Sequence, residues 1–198
     1  SLPCVSIATE NVPKPVVQYT FDGNKQLADQ NGKNELKLSG GASVTDDGNK
    51  GKGLLLDGTD GYAELPDNIL SSDMTITTWV KINKFTTWGR VFDFGTDSNQ
   101  NFFFAPYSGG ASRVEIKNGA TVDTMDCTQE TAKDWVNYAI TIKGDTVSYY
   151  RNGRLIKSKS SIKDISELTN TANYIGKSHY DGDAYLSAVV DDFRVYNS

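Results

Sequence analysis

The sequence predicts an antiparallel all-β sandwich with one core, and three observations support this fold class. The 198 residues include 10 Tyr, 8 Phe and 3 Trp beside 18 Gly, and aromatic side chains favour pleated surfaces while glycine favours turns. Asp outnumbers Glu by 19 to 6, and Asp is common in loops and caps but is a weak helix former. Short strand-like runs separated by turn residues recur about every 8–12 residues, which is typical of a sandwich.

The clearest strands are predicted at residues 74–81 and 135–143. In both segments apolar side chains alternate with polar ones, so each strand is expected to bury one face. Glycine-containing pairs mark turns at 118–119, 144–145 and 152–153, and the first and last of these pairs are Asn-Gly. Asn and Gly both tolerate positive φ, as a two-residue hairpin turn requires.

The domain organisation is simple. Residues 1–15 contain three prolines and little periodicity, and they are predicted to form a linker or a loosely docked lead-in. Residues 16–198 are predicted to form a single domain, because an all-β sandwich routinely uses this many residues as one unit. Residues 163–169 are the one helix-like segment, about two turns long by the helical repeat.

Charge and cysteine content exclude some function classes. The formal net charge is −5 with the acids spread along the chain, which argues against nucleic acid or an anionic membrane as a partner. No apolar run reaches the length of about 18 residues that suggests a membrane-spanning helix. Cys4 and Cys127 permit one disulfide or remain two inert thiols, and they favour a secreted setting.

Seven segments follow one another in a recognisable order. They are YTFDGN (19–24), GKGLLLDGTDGYAELP (51–66), MTITTWVK (74–81), WGRVFDFG (88–95), NFFFAPYSGG (101–110), DWVNYAITIKGDTVSYYRNGRLI (134–156) and NYIGKSHYDGDAYLSAVVDDFRVYN (173–197). This order closely resembles the laminin-G-like, concanavalin A-like domains that occur as accessory modules in bacterial extracellular carbohydrate-active enzymes. The resemblance extends over residues 17–197 and is specific for the fold, much less so for the ligand.

The resemblance implies a two-sheet antiparallel jelly-roll β-sandwich, often with a structural calcium ion. Such modules typically bind plant or host polysaccharides and are frequently fused to catalytic domains that degrade arabinan or galactan. The expected partners are therefore a polysaccharide or oligosaccharide and a catalytic domain of the same parent chain. An extracellular or cell-surface location and a monomeric state are expected as well. Six aromatic residues are expected in the core: Trp79, Phe92, Phe94, Trp135, Phe193 and Tyr196.

Intrinsic catalysis is not expected. Glycoside hydrolysis requires two carboxylates at a fixed separation, and none of the six glutamates lies in the alternating carboxylate pattern of fold-related glucanases. The pairs Asp46-Asp47 and Asp191-Asp192 are adjacent, so on a strand their side chains would point to opposite faces. The single histidine, His179, has no nucleophile-elbow context.

Calcium is the expected cofactor. It takes six to eight oxygen ligands, which two strands and a Gly-rich loop can supply. The candidate ligands are Asp22 and Asn24 in YTFDGN, Asp191 near the C-terminus, and Asp57 in LDGTDGY. In related modules the first and last strands lie side by side, so Asp22 and Asp191 are expected to meet. The alternative is that these acids only cap turns and remain solvated.

The candidate ligand-binding residues are aromatic and polar side chains in loops or at strand edges. An aromatic ring gives a large contact area at little cost in rotamer entropy, and charged donors strengthen hydrogen bonds. Trp88 stands at a loop-to-strand transition beside Gly89, and Arg90 and Arg113 are the candidate guanidinium donors, with salt bridges to Asp93 or Glu115 as the alternative. The remaining candidates lie in APYSGG and SHYDGDAY: Tyr107, His179, Tyr180 and Tyr185.

The function expected from these features is a non-catalytic carbohydrate-binding module that holds a secreted enzyme near its polysaccharide. Tethering makes a second encounter intramolecular, so even modest affinity is useful. Two alternatives remain at this point: a protein-interaction or adhesion domain of the same fold, and a structural spacer that packs against a catalytic domain.

Overall fold

The computed structural model describes residues 12–198, and within that range fifteen strands form two antiparallel sheets. The strands are β1 (Val17–Tyr19), β2 (Lys37–Ser39), β3 (Ser43–Thr45), β4 (Gly53–Asp57), β5 (Tyr62–Leu65), β6 (Met74–Lys84), β7 (Phe92–Asp97), β8 (Gln100–Ala105), β9 (Ser112–Asn118), β10 (Thr121–Cys127), β11 (Trp135–Lys143), β12 (Thr146–Arg151), β13 (Arg154–Lys159), β14 (Asn173–Ile175) and β15 (Ser187–Tyr196). This architecture confirms the predicted two-sheet antiparallel jelly-roll β-sandwich.

The two sheets have interleaved strand orders. Sheet 1 runs β13-β12-β11-β6-β15-β4-β3, with β1 also paired to β15. Sheet 2 runs β10-β9-β8-β7-β14-β5-β2. Strands that are neighbours in a sheet are often distant in sequence. Residues from remote segments of the chain therefore lie side by side on the surface.

One hydrophobic cluster fills the space between the inner faces of the sheets. In β6 the side chains of Met74, Ile76 and Val80 are buried and alternate with half-buried ones, as the sequence predicts. β11 alternates in the same way. Phe92, Phe94 and Phe193 belong to this core, which confirms their predicted burial.

Three of the six aromatic residues expected in the core lie elsewhere. Trp79, Trp135 and Tyr196 are half-buried on the outer face of sheet 1, so the core prediction was wrong for them. The reason is strand alternation. The inner positions beside them are occupied by Val80, Val136 and Val195, which are buried.

The predicted hairpin turns are present. Asn152 and Gly153 both have positive φ, 50° and 76°, and join β12 to β13. Gly144 and Gly119 have φ of 59° and 60° in the two turns that join β11 to β12 and β9 to β10.

Two predictions about the chain's irregular segments have mixed outcomes. The helix-like segment 163–169 is shorter than predicted, because only Ile165–Glu167 form a 3₁₀ helix. Cys4 and most of the predicted lead-in lie outside the described residues, while Cys127 is half-buried at the end of β10. No helix in residues 12–198 combines the length and the hydropathy needed to cross a membrane.

Candidate functional site

A cleft of about 250 Å³ opens on the outer face of sheet 2. We call it the Trp88 cleft, and its lining residues are Trp88, Arg90, Phe103, Arg113, Glu115, Tyr180 and Asp183. β8 and β9 supply the floor, since Phe103 lies opposite Glu115 in the register of these two strands. The segment before β7 supplies Trp88 and Arg90, and the loop between β14 and β15 supplies Tyr180 and Asp183.

The backbone of Trp88 has a conformation that bulky residues rarely adopt. Its φ is +65°, in the left-handed region where a bulky residue is a genuine outlier. Two hydrogen bonds fix it there: the Trp88 N–H donates to the Tyr107 carbonyl at 3.1 Å, and Arg90 Nη1 donates to the Trp88 carbonyl at 2.8 Å. Backbone strain of this kind is concentrated at functional sites, and here it presents a half-buried indole at the cleft.

Arg90 is a support of the cleft, which differs from its predicted role as a free donor. Its side chain is 1% exposed, and it pairs with Asp93 at 3.2 Å and Asp183 at 3.0 Å. Its guanidinium carbon also lies 3.6 Å from the centroid of the Phe103 ring. The salt bridge to Asp93, which was the alternative in the sequence analysis, is therefore the observed arrangement.

Arg113 is the more accessible of the two arginines. Its side chain is 29% exposed and its guanidinium carbon lies 4.8 Å from the centroid of the Trp88 ring. It also makes hydrogen bonds to both carboxylate oxygens of Asp126, at 2.7 and 3.1 Å. These bonds raise the pKa of Arg113 and lower the pKa of Asp126, so the cleft keeps a fixed cation beside the indole.

His179 lies behind the cleft and does not line it, contrary to its prediction as a ligand contact. The imidazole is 3% exposed, with Nδ1 2.7 Å from Asp93 Oδ1 and Nε2 2.8 Å from the Ala172 carbonyl. Its backbone N–H also donates to Asp93, at 3.1 Å. These contacts anchor the loop that carries Tyr180 and Asp183, so His179 contributes by positioning.

Of the seven predicted ligand residues, the structure brings four together in the cleft: Trp88, Arg90, Arg113 and Tyr180. Tyr107 and Tyr185 lie outside it. Tyr107 packs against Phe85 with a centroid distance of 5.1 Å, and Tyr185 packs near Tyr62 at 6.2 Å.

The sequence analysis did not predict Phe103, Glu115 and Asp183 as ligand-binding residues, and it considered Glu115 only as a salt-bridge partner. Strand alternation was the available signal for two of them, since Phe103 lies between two core phenylalanines and Glu115 is two residues from Arg113 on one strand. Asp183 had no such signal, because its place depends on the fold of the β14–β15 loop.

A second cavity, of about 300 Å³, holds two of the four predicted calcium ligands. Asp22 and Asp191 both line it, whereas Asn24 and Asp57 do not, so the four predicted residues do not form one site. Asp57 instead closes a turn, since its Oδ1 accepts hydrogen bonds from the N–H groups of Thr59, Asp60 and Gly61.

For the two acids at this cavity, one observation favours a bound cation and two observations oppose it. Burial raises the pKa of Asp191, and the neighbouring Asp22 carboxylate adds to that rise, a repulsion that a bound cation would relieve. Against this, Lys50 and Arg194 line the same cavity, and residues 12–198 contain no cluster of three acidic, histidine or cysteine side chains suited to a metal. Further ligands would have to be neutral oxygens.

A β-bulge in β15 places both members of the Asp191-Asp192 pair at this cavity. Pairing with β6 shifts between Asp191 and Arg194, and Asp192 has a φ of +48°. Burial by itself raises the pKa of Asp192, but hydrogen bonds from Arg194 and Gln18 bring the pKa below its ordinary value. Asp192 is therefore neutralised by Arg194.

The fold and the cleft define a lectin-like β-sandwich with a polar, aromatic-edged surface site. The model of the concanavalin A-like lectin/glucanases superfamily matches residues 57–198, and the chain belongs to this superfamily. An α-L-arabinofuranosidase of Bifidobacterium longum subsp. longum is 28% identical over 214 residues, which cover 93% of this chain and 20% of that protein. The chain thus spans about a fifth of the length of this curated relative.

Solved structures share the fold. Domain 4 of AbnA, a GH43 extracellular arabinanase from Geobacillus stearothermophilus in complex with arabinotriose, matches with a TM-score of 0.80 at 22% identity, covering 93% of this chain and 92% of that one. The binding domain of botulinum neurotoxin DC, in complex with rat synaptotagmin II, matches with a TM-score of 0.73 at 15% identity, covering 93% and 48%. At these identities the likeness establishes the fold alone.

Proposed function

We propose that this domain is a non-catalytic carbohydrate-binding module that binds a neutral saccharide containing arabinose in the Trp88 cleft. The observation that carries the proposal is the Trp88 indole, held at positive φ beside the Arg113 guanidinium and fixed polar groups. A sugar ring offers an apolar face to stack on an aromatic ring and hydroxyls to bond to charged partners. The ligand class is supported by the arabinanase domain with arabinotriose and by the arabinofuranosidase relative.

The carboxylates of the cleft are suited to accepting hydrogen bonds from hydroxyl groups. Asp183 is paired with Arg90 and accepts a hydrogen bond from Ser178 Oγ at 2.9 Å. Glu115 accepts one from Thr124 Oγ1 at 2.8 Å and lies 3.7 Å from Arg113. Groups fixed in this way bind a hydroxyl with little reorganisation, which lowers the entropy cost of binding.

The wider setting is part of the same proposal. The arabinofuranosidase relative is about five times longer than the matched region, which supports a catalytic domain in the same parent chain. The arabinanase with the similar domain is extracellular, which supports a secreted or cell-surface protein. We also propose a structural calcium ion held by Asp22 and Asp191, and a monomeric domain.

Binding to arabinotriose and to linear arabinan tests the proposal. Trp88→Ala is expected to weaken binding about tenfold or more, as loss of a central aromatic contact does. Tyr107→Phe is the matched control, because Tyr107 borders the same loop but lies outside the cleft, and it is expected to bind like wild type. Wild-type affinity together with an unchanged number of binding sites in Trp88→Ala would refute the cleft. Silence of the wild-type domain across a glycan panel would favour the spacer or protein-binding alternative.

An assay for released sugar tests the non-catalytic part. The isolated domain is expected to release none from arabinan, galactan or xylan. Release that disappears in Glu115→Gln or Asp183→Asn would instead make the cleft an active site.

A further inference from the structure

The chain's other two tryptophans lie together on the outer face of sheet 1. Trp79 on β6 is opposite Asn137 on β11, and Trp135 on β11 is opposite Lys81 on β6. The two indoles are therefore diagonal neighbours on one face, with backbones about 7–8 Å apart. Both are half-buried, so each exposes part of its ring.

Each of these indoles borders a polar cavity. Trp79 lines the cavity of about 300 Å³ that also contains Gln18 and Arg194. Trp135 lines a cavity of about 480 Å³ together with Lys81 and Asn83. The loop 46–50 contributes residues to both cavities.

The hydrogen-bonding groups beside Trp79 are held in fixed positions. Arg194 donates to both carboxylate oxygens of Asp192, at 3.0 and 2.7 Å, and Gln18 Nε2 donates to the same carboxylate at 2.8 Å. The Asp192 and Arg194 side chains are only 27% and 37% exposed. A ligand that meets these groups finds them already ordered, which reduces the entropy cost of binding.

We propose that Trp79 and Trp135 form a second saccharide-binding surface, on the opposite side of the sandwich from the Trp88 cleft, which binds consecutive units of a neutral polysaccharide chain. This inference rests on the proposed carbohydrate function. Two flat apolar rings separated by polar side chains match a chain whose sugar units each present an apolar face and a rim of hydroxyls. Both cavities contain acidic and basic residues, which matches an uncharged ligand.

Two sites on opposite faces make the domain bivalent. One domain then binds two chains, or two loops of one chain, and the second contact benefits from a high effective concentration. The expected signature is an affinity for long arabinan that exceeds the affinity for arabinotriose by about 100-fold or more.

The distribution of the tryptophans permits a site-specific test. With Trp88→Ala all remaining indole emission comes from Trp79 and Trp135, and with Trp79→Ala/Trp135→Ala all of it comes from Trp88. At one fixed calcium concentration, arabinan is expected to change the emission of both variants. Calorimetry with arabinotriose is expected to give two sites per wild-type domain and one per variant. Tyr150→Ala, on the same face but outside both cavities, is the control and is expected to retain two sites.

Each outcome separates this surface from the cleft. If Trp88→Ala shows no binding while Trp79→Ala/Trp135→Ala binds like wild type, the second surface is refuted and the cleft stands. If Trp88→Ala binds like wild type and the double variant shows no binding, the cleft is refuted and the surface stands. If the wild-type domain shows no binding, both are refuted. The Trp88→Ala measurement leaves the surface intact, so the test does not depend on the double variant folding.

Discussion

The guanidinium carbon of Arg90 lies 3.6 Å from the centroid of the Phe103 ring, and both side chains are buried on the outer face of sheet 2. A cation this close to an aromatic face is attracted by the ring quadrupole. The same guanidinium pairs with Asp93 on β7 and Asp183 in the β14–β15 loop. Arg90 thereby joins a strand, a loop and the backbone of Trp88, and the shape of the cleft depends on it.

Arg90→Gln is expected to lower the free energy of unfolding by about 3–5 kcal/mol, because it leaves the fully buried Asp93 without its guanidinium partner. Chemical denaturation gives the value. Arg113→Gln is the comparison, since its pair with Asp126 is 29% and 47% exposed and pairs of that kind contribute about 1 kcal/mol or less. Asp93→Asn added to Arg90→Gln is expected to recover part of the loss. Equal losses for the two arginines would contradict the supporting role of Arg90.

The backbone of Trp88 gives a second prediction. Because its φ is +65°, Trp88→Gly is expected to be more stable than Trp88→Ala by roughly 1–2 kcal/mol, the cost of the left-handed region for a residue with a Cβ. Both variants lose the indole, so both are expected to lose binding at the Trp88 cleft equally. At the neighbouring exposed Thr87, which is outside the left-handed region, alanine is expected to be at least as stable as glycine. If alanine were at least as stable as glycine at position 88 as well, the backbone of Trp88 would be unstrained.

The sequence predicts best what depends on neighbours along the chain. Alternation in 74–81 and 135–143 indicates which faces are buried, and Asn152-Gly153 indicates a hairpin, because both features are local. The placement of Trp79 in the core, which the resemblance implied, was wrong, because strand alternation puts Trp79 on the outer face of β6.

The candidate site was only partly predictable for a physical reason. Trp88 and Arg113 carry a local signal, but the partners that fix them come from remote segments. His179 meets Asp93 across 86 residues, and Asp191 meets the backbone of Lys50 across 141. The β-bulge that brings Asp191 and Asp192 to one cavity depends on the pairing of β15 with β6, which residue patterns within β15 do not encode.

Asp57 predicts a pH dependence of stability. Hydrogen bonds from the backbone N–H groups of Thr59, Asp60 and Gly61 lower the pKa of Asp57 to about 2. The folded-state pKa is below the unfolded value of about 3.9, so the stabilisation is complete above about pH 4 and is lost as the pH falls toward about 2. Asp57→Asn keeps one acceptor oxygen but not the charge. It is therefore expected to be less stable than wild type at pH 7, and the difference is expected to close near pH 2.

Urea denaturation at pH 7, 4 and 2.5 measures this difference. Asp181→Asn, an exposed carboxylate in a loop, is the control and is expected to show no pH-dependent gap. A constant gap between wild type and Asp57→Asn at all three values would contradict the turn-closing role of Asp57. Loss of a calcium response in Asp57→Asn would restore it as a metal ligand.

Calcium itself is tested at Asp22, which lines one cavity with Asp191. If calcium binds only the folded state, a concentration about 100 times the dissociation constant adds about 2.7 kcal/mol, which raises the melting temperature of a domain of this size by roughly 5–10 °C. Asp22→Asn keeps an oxygen that accepts the hydrogen bond which the Lys52 N–H donates to Asp22 Oδ1 at 2.8 Å, so its fold is expected to survive while its calcium response disappears.

In chelator the same substitution is expected to lower the pKa of Asp191, because it removes a neighbouring negative charge that raises that pKa. Since calcium requires the ionised carboxylate, the calcium-dependent rise in wild type is expected to shrink as the pH falls toward the raised pKa of Asp191. Equal melting temperatures of wild type in chelator and in millimolar calcium would exclude a site coupled to folding, and Asp22 and Asp191 would then be acids that the backbone alone stabilises.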